Sequence, residues 1–357
     1  MPTAYIAGIG HYVPAHRVTN DDLAAVMDTS DEWIRERTGI RERRYARKHE
    51  ETTATMGAEA ARAALADAGA LAEEVDFIVF ATLSPDYYFP GCGVLLQREL
   101  GITDGACGCL DVRNQCSGFI YALSVAEKFV AAGTYRNVLV VGAEMHSMGL
   151  DFSTRGRGVT VIFGDGAGAV LLRPAPADGP SAILSSAMHA DGTYAEKLAM
   201  LSPGSHGGRH FRQRGEGRDL GYPDPDSFGG IFGTQQELDG GAFFPVMEGQ
   251  FVFKLAVQKF PEVVEEVLAK AGLTAADIDV LIPHQANLRI AQFVQRALKL
   301  SDEQVYNNIQ RYGNTTAASV PIALSEAVAE GKVARGDVVV LAAFGSGFTW
   351  GGVALRW

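Results

Sequence analysis

The sequence carries one cysteine at a position suited to nucleophilic chemistry. Cys116 lies in DVRNQCSGFIYALSVAEKF, where the end of an apolar strand leads through Asn-Gln into an amphipathic helix. A thiol at a helix N-terminus is predicted to have a lowered pKa, because the helix dipole favours the thiolate. The alternative is a buried, unreactive cysteine, which is the commoner role of this residue type. The pattern makes Cys116 a candidate nucleophile.

A histidine and an asparagine occur at comparable points further along the chain. His284 ends the apolar run IDVLIP and precedes the helical pattern QANLRIAQFVQRAL, and Asn314 lies in RYGNTTAASVP just before another helix. Ligand-binding and catalytic groups of α/β proteins gather at the carboxyl ends of strands. Taken singly, the histidine could be a helix cap and Gly-Asn a turn signal. Taken together, three strand-to-helix junctions predict one convergent site.

An internal repeat relates these junctions to one another. Ala68 and Asp76 correspond to Ala271 and Asp279 at an offset of 203 residues, within matching patterns of helix, glycine and buried strand. Further on, YALSVAEKFVAAG from residue 121 parallels IALSEAVAEG from residue 322 at an offset of 201, which pairs Cys116 with residue 317. The Asn314 loop and the Cys116 loop are therefore predicted to be related by a pseudo-twofold axis.

The repeat also predicts the fold class. Each copy reads strand, helix, strand, helix, strand, strand, and near-continuous apolar strands require helices on both faces of a sheet. We therefore expect an α/β protein with two similar halves, residues 1–176 bearing the cysteine and residues 177–357 bearing the histidine and asparagine. A helical, charge-rich insertion (20–50) and a long loop or flap (202–246) interrupt the repeat. Loops of that length are commonly functional.

Charge and hydropathy exclude several classes of partner. There are 31 Lys and Arg against 42 Asp and Glu, which gives a formal charge of −11. Such a surface repels nucleic acid and anionic membranes, so neither is expected as a partner. Residues 338–355 are uncharged, but glycines divide them into a strand, a turn and a strand rather than a membrane span.

Cysteine usage bears on the compartment and on metals. All four cysteines fall between residues 92 and 116, which indicates no secreted disulfide framework. Their spacing lacks the gaps usual in zinc sites, so no metal is expected. The N-terminus has no signal-peptide pattern. These features favour a cytoplasmic protein.

Several motifs together resemble a known family. The strings NQCSGF, PHQANLRI, RYGNTTAASVP, FGDGAGAV and FGSGFTWGG occur in this order after TSDEWIRERTGIRER. They resemble β-ketoacyl-acyl carrier protein synthase III of the thiolase fold, over nearly the whole chain except 202–246. The resemblance implies a layered α-β-α-β-α sandwich, with Cys116 as the acylated nucleophile and His284 and Asn314 as the decarboxylation pair. It also implies an oxyanion hole made by the backbone N–H groups of Cys116 and Ser346, although the family often has glycine at the latter position.

The resemblance extends to binding residues. It implies that coenzyme A is held by Trp33, Arg37, Arg157, Gly249 and Asn287, with no separate cofactor. It further implies that Phe89 closes the acyl pocket of the other subunit of a homodimer. The bulk of the neighbouring aromatic residues suggests a short starter group. An acidic acyl carrier protein would dock on a basic patch formed by Lys254, Arg289 and Arg296.

The implied reaction has competitors. In the favoured interpretation, an acyl-CoA loads Cys116, and decarboxylative Claisen condensation with malonyl-acyl carrier protein gives a 3-oxoacyl-acyl carrier protein that initiates fatty acid synthesis. A pathway-specific relative would instead prime polyketide synthesis or transfer the acyl group to another acceptor. GDGAG (164–168) could be a nucleotide-binding loop of an oxidoreductase, but IFGDGAGAVLL continues as a strand with no helix to hold a phosphate. A non-enzymatic scaffold would show no unusual thiol reactivity.

Overall fold

The computed structural model describes residues 3–103, 105–176, 179–205 and 232–357. Most of the predicted 202–246 loop, residues 206–231, lies outside the described residues. Within the described parts of that segment there is a short helix, α7 (Gln235–Asp239), and a strand, β10 (Val246–Met247), which pairs with β9 (Leu198–Ala199). The prediction of an irregular loop is therefore wrong for these residues.

A five-stranded sheet forms the first of two central layers. Its strands are β1 (Ala4–Tyr12), β4 (Phe77–Ala81), β5 (Gly108–Val112), β6 (Val138–Glu144) and β7 (Gly166–Pro174). Their order is β1-β7-β6-β4-β5, with β4 parallel to β5 and β6, and β7 antiparallel to β1 and β6. All seven residues of β6 are buried, as the apolar run VLVVGA predicts for a strand covered on both faces.

A four-stranded sheet forms the second central layer. It contains β8 (Ala182–Ala190), β11 (Val280–Pro283), β12 (Val338–Gly345) and β13 (Thr349–Arg356), in the order β11-β12-β13-β8. β11 and β12 are parallel, and β12 and β13 form the predicted hairpin. Val305 makes a single parallel bridge with Leu281, at the edge that β5 occupies in the first sheet.

Helices complete five layers. The longer ones are α3 (Thr53–Asp67), α4 (Cys92–Glu99), α5 (Gly118–Ala131), α8 (Gly249–Lys270), α9 (Leu288–Leu298) and α11 (Ser319–Ala329). α5 and α11 lie between the sheets, in one apolar cluster with strands of both. α3 and α4 cover the outer face of the first sheet, and α8 and α9 cover the second. The fold is thus the α-β-α-β-α sandwich expected from the sequence.

Close packing of α3 on β1 depends on glycine. A Cβ atom at Gly8 would lie 2.3 Å from the carbonyl oxygen of Ala64, and one at Gly10 would lie 2.5 Å from the backbone nitrogen of that residue. Both distances are too short for any side chain, so glycine lets the helix backbone approach the strand.

The predicted insertion at 20–50 is a compact subdomain. It contains β2 (Arg17–Thr19), α1 (Asn20–Ala24), α2 (Asp31–Thr38) and β3 (Glu42–Arg44) and packs near α6 (Arg157–Thr160) and α10 (Ile309–Tyr312). Arg43, which is fully buried, anchors it by donating to Asn20 Oδ1 and to the Val161 carbonyl. Among the described residues, no helix is both long and apolar enough to cross a membrane. The division of the chain at residue 176 stays a prediction.

Candidate active site

Cys116 lies in a short 3-10 turn, Gln115–Ser117, directly before α5. The thiol is buried beneath the end of β12, where a Cβ atom at Gly345 would lie 2.7 Å from Cys116 Cβ. The matching turn in the second repeat, Thr316–Ala318, precedes α11. Gln115 (φ 45°) and Thr316 (φ 46°) share a left-handed backbone that is unusual outside glycine. The repeat at an offset of 201 therefore extends to the backbone conformation of the two turns.

The predicted low pKa of the Cys116 thiol is wrong. Burial raises its pKa to about 12, and the nearby Glu144 carboxylate raises it further. The backbone N–H of Cys116 itself, the Asn314 side chain and the backbone N–H of Ser346 act in the opposite direction. Loss of hydration penalises the thiolate more strongly than the partial charge of a helix terminus favours it. The thiol of the empty site is therefore protonated at neutral pH.

His284 follows β11 directly and is buried. Its Nδ1 atom lies 2.6 Å from the Ser319 hydroxyl oxygen at the start of α11, and its backbone N–H donates to the Ala342 carbonyl at 2.7 Å. The Nε2 atom is buried without a hydrogen-bond partner. Burial lowers the pKa of His284 to about 3, so the imidazole is neutral. A neutral imidazole with one free nitrogen can donate or accept a single proton towards a ligand.

Asn314 is held by its backbone and by one side-chain atom. Its backbone N–H donates to the Ile162 carbonyl at 2.8 Å, its carbonyl accepts from Gly164, and its Oδ1 accepts from the Thr316 N–H at 2.8 Å. Because Oδ1 is occupied, the side-chain NH₂ group is the part left to act on the Cys116 thiol. The structure thus brings Asn314 to Cys116, and Ser319, three residues after Thr316, connects His284 to the same turn.

Sequence reasoning missed Glu144, which ends β6. Its carboxylate accepts from the Thr82 hydroxyl at 3.1 Å, from the Ser84 hydroxyl at 2.6 Å and from the Ala317 N–H at 3.4 Å. Burial raises its pKa to about 6. A charged residue at the end of the apolar run NVLVVGA was the available signal, by the same strand-end rule that singled out His284.

A cavity of about 920 Å³ opens beside the thiol. Cys116 and Ser346 line it, while His284 and Asn314 are absent from its wall. Phe89 does not line this cavity either, since its side chain is 82% exposed, although Tyr87 and Tyr88 next to it do.

Four of the five predicted coenzyme A residues form a cluster on the 20–50 insertion. The Trp33 ring lies between two guanidinium groups, with Arg37 Cζ 4.5 Å and Arg157 Cζ 5.1 Å from its centroid. Asn287 Nδ2 donates to the Arg37 carbonyl at 2.9 Å. Gly249 begins α8 and has no printed contact with this cluster among the described residues, its nearest neighbour being the Met247 side chain. None of the five lines the cavity at Cys116.

The predicted docking residues lie on two neighbouring helices. Lys254 is on α8, and Arg289 and Arg296 are on α9; all three are exposed. The two helices pack against each other, and Arg289 Cζ lies 5.7 Å from the centroid of Phe253 on α8. In the described part of the chain, no group of three His, Cys, Asp or Glu side chains is placed to hold a metal ion.

Comparison with known proteins decides the family. Residues 110–192 match the family described as 3-oxoacyl-[acyl-carrier-protein] synthase III, and residues 268–357 match its C-terminal domain. The chain is 47% identical over 354 residues to a β-ketoacyl-[acyl-carrier-protein] synthase III of Rhodospirillum centenum, covering 99% of this chain and 98% of that one. The chain belongs to the β-ketoacyl-acyl carrier protein synthase III family.

Related proteins agree with this assignment. A synthase of the same name from Xanthomonas campestris is 46% identical over 352 residues, covering 99% and 98% of the two chains. The crystal structure of the Aquifex aeolicus 3-oxoacyl-[acyl-carrier-protein] synthase III superposes with a TM-score of 0.83 at 40% identity, covering 99% of this chain and 100% of that one. The thiolase fold and the acyltransferase, condensing-enzyme activity predicted from the sequence are therefore confirmed.

The competing interpretations are not favoured. A priming β-ketosynthase of the R1128 polyketide pathway also superposes, with a TM-score of 0.82, but at 33% identity, covering 99% of this chain and 96% of that one. GDGAG runs directly into β7, with no helix after the glycines, so the nucleotide-loop hypothesis finds no support in the structure. As a β-ketoacyl-acyl carrier protein synthase III, the chain is an enzyme rather than a scaffold.

Proposed function

We propose that Cys116, His284 and Asn314 carry out the two half-reactions of the synthase. In the first, the Cys116 sulfur attacks the thioester of an acyl-CoA, and the thiol proton ends on the departing coenzyme A sulfur. The products are acyl-Cys116 and free coenzyme A, with no net change in protons. The backbone N–H groups of Cys116 and Ser346 face the sulfur and would donate to the oxyanion formed during this step.

In the second half-reaction, malonyl-acyl carrier protein loses carbon dioxide and leaves an enolate. The enolate carbon attacks the acyl carbonyl and displaces the Cys116 thiolate, which then takes up one proton. The product is 3-oxoacyl-acyl carrier protein. We assign the stabilisation of the enolate oxygen to His284 Nε2–H and the Asn314 NH₂ group. Donation from the Ser319 hydroxyl to Nδ1 would leave the proton on Nε2, as this role requires.

The single observation that carries this assignment is the unpartnered Nε2 atom of a neutral, buried imidazole. A buried polar atom without a partner costs stability, so it indicates a ligand group that completes the hydrogen bond. Every donor in the scheme is a protein group, and no step calls for a metal or an added cofactor.

We assign coenzyme A binding to the cluster around Trp33. Its two guanidinium groups suit phosphate and its ring suits stacking on a base. We assign carrier-protein docking to Lys254, Arg289 and Arg296, which provide local positive charge on an acidic protein. The exposure of Phe89 supports a homodimer in which that ring is covered. Cysteine usage favours the cytoplasm.

Intact-mass analysis after incubation with acyl-CoAs tests the scheme. Wild type should gain one acyl group, and Cys116→Ala should gain none. Cys92→Ala is the matched control, because Cys92 is also buried at a helix start with its pKa raised to about 12. His284→Ala and Asn314→Ala should keep the adduct but lose carbon dioxide release from malonyl-acyl carrier protein. Loss of acylation with decarboxylation intact would reverse these roles.

A further inference from the structure

The cavity beside Cys116 is larger than a short starter group needs. Its volume is about 920 Å³, and its apolar wall near the thiol includes Leu83, Met145, Phe163 and Leu198. At roughly 30 Å³ per carbon, the share of volume that one water molecule occupies in the liquid, acetyl would fill about 60 Å³ and octanoyl about 240 Å³. The cluster around Trp33 lies outside this cavity, so the space is available to the acyl group rather than to coenzyme A.

Part of the wall comes from the segment that interrupts the repeat. Met200, Pro203 and Pro245 line the cavity on the side away from the sheets. The Ser346 hydroxyl donates to the Leu198 carbonyl, which ties this wall to the residue whose backbone N–H faces the thiol. The wall therefore belongs to the substrate site rather than to a separate surface.

Several contacts hold that wall in place. β9 pairs with β10, and the Ser202 N–H donates to the Ala242 carbonyl at 3.1 Å. Arg155 Nε lies 2.6 Å from Asp151 Oδ2, and its Nη1 donates to the Asp239 carbonyl at 3.3 Å. A wall fixed by such contacts can discriminate between acyl chains by shape.

The far end of the cavity limits the chain from the other side. Lys48, Arg98 and Arg113 line its mouth, together with Tyr87 and Tyr88, which are each 58% exposed. The bulky tyrosines thus stand at the opening and not beside the thiol, where they would have shortened the starter. An alkyl chain gains little by extending among charged groups, so the apolar part of the cavity sets the upper length.

We infer that the acyl group carried by Cys116 is a medium-length chain of about eight carbons, and that Gly149 and Met200 help to set its length. This inference rests on the proposed acylation of Cys116. Both residues line the cavity, and a Cβ atom built at Gly149 would meet only Met200 Cε, at 3.4 Å. Gly149 has no positive φ angle, so a side chain there brings no backbone strain.

The test compares acetyl-, butyryl- and octanoyl-CoA as acyl donors, with kcat/KM of acylation as the readout. For wild type, kcat/KM should rise by about fourfold for each added methylene that the cavity buries. Gly149→Leu should lower kcat/KM for octanoyl-CoA by more than about tenfold and leave acetyl-CoA unchanged. Gly149→Ala is the matched control and should keep octanoyl-CoA within about threefold of wild type.

Other outcomes would contradict specific parts of the inference. A wild-type preference for acetyl- or butyryl-CoA over octanoyl-CoA would overturn the chain length. Equal losses for acetyl- and octanoyl-CoA in Gly149→Leu would overturn the role of Gly149. Absence of any acyl adduct on Cys116, with every donor, would overturn the proposed function itself, which separates the two failures.

Discussion

The Nδ1 atom of His284 lies 2.6 Å from the hydroxyl oxygen of Ser319, a residue 35 positions later in the chain. The contact joins the end of β11 to the start of α11, within a buried region. It leaves Nε2 as the only ring nitrogen free to meet a ligand. Ser319 is therefore a positioning residue in the proposed decarboxylation.

Ser319→Ala should slow decarboxylation selectively. Without the hydroxyl, nothing holds the imidazole in the tautomer with its proton on Nε2, and carbon dioxide release should fall by about tenfold, equivalent to ~1.4 kcal/mol. Formation of the acyl adduct should be unchanged. Carbon dioxide release and intact mass, measured on the same sample, give the two rates.

Ser325→Ala is the control for this substitution. Ser325 lies on the same helix, and its hydroxyl oxygen lies 2.8 Å from His11 Nδ1, so the variant loses the same kind of contact away from Cys116. Equal decreases in carbon dioxide release for both variants would show that Ser319 acts through stability alone.

The stability contribution of Glu144 should depend on pH. Burial raises the pKa of its carboxyl from 4.5 to about 6 in the folded protein. The folded state therefore holds this proton more tightly than the unfolded state, and the associated stability is present below pH 4.5 and lost as pH rises through 6. The free energy of unfolding of wild type relative to Glu144→Gln should fall by about 2 kcal/mol between pH 4.5 and pH 7.5.

Urea denaturation of both proteins at the two pH values measures this difference. Glu73→Gln, at an exposed position, should differ from wild type by less than about 0.5 kcal/mol at either pH. A pH-independent difference between wild type and Glu144→Gln would mean that the buried carboxyl keeps its ordinary pKa.

Reversal of the basic charges on α8 and α9 should weaken use of the carrier protein. Lys254→Glu and Arg289→Glu should each raise KM for malonyl-acyl carrier protein by about five- to tenfold at low salt, because a repulsive contact replaces an attractive one. KM for acyl-CoA should not change. Steady-state kinetics at two salt concentrations measures both constants.

Lys332→Glu provides the matched charge reversal. Lys332 is exposed on the turn between α11 and β12 and makes the same change in net charge. An equal rise in KM for all three variants would indicate a general effect of acidity and would remove the docking role of the two helices.

The internal repeat made much of the fold predictable. The offset of 201 placed Cys116 opposite residue 317, and the structure carries this to the left-handed residues Gln115 and Thr316. Periodicity also identified the β12–β13 hairpin. These features could be read because each depends on a local pattern of apolar residues.

Other features depended on contacts that no local pattern records. The pKa of Cys116 is governed by burial and by Glu144, which comes from another strand, and these outweigh the local helix dipole. Ser319 meets His284 across two elements of the second half. The wall formed by Met200 and Pro245 comes from a segment with little periodicity, so its place beside the thiol was not visible in the sequence.

The contact between the two symmetry-related turns limits each chain to a single acylation centre. A Cβ atom at Gly118 would lie 3.4 Å from Ala317 Cβ, and one at Gly142 would lie 2.6 Å from the Ala317 carbonyl oxygen. The two turns thus press against each other at the pseudo-twofold axis, and residue 317 has room for little beyond a methyl group. Duplication of the scaffold therefore did not duplicate the nucleophile; crowding at the axis leaves one copy to react and the other to supply its hydrogen-bond donors.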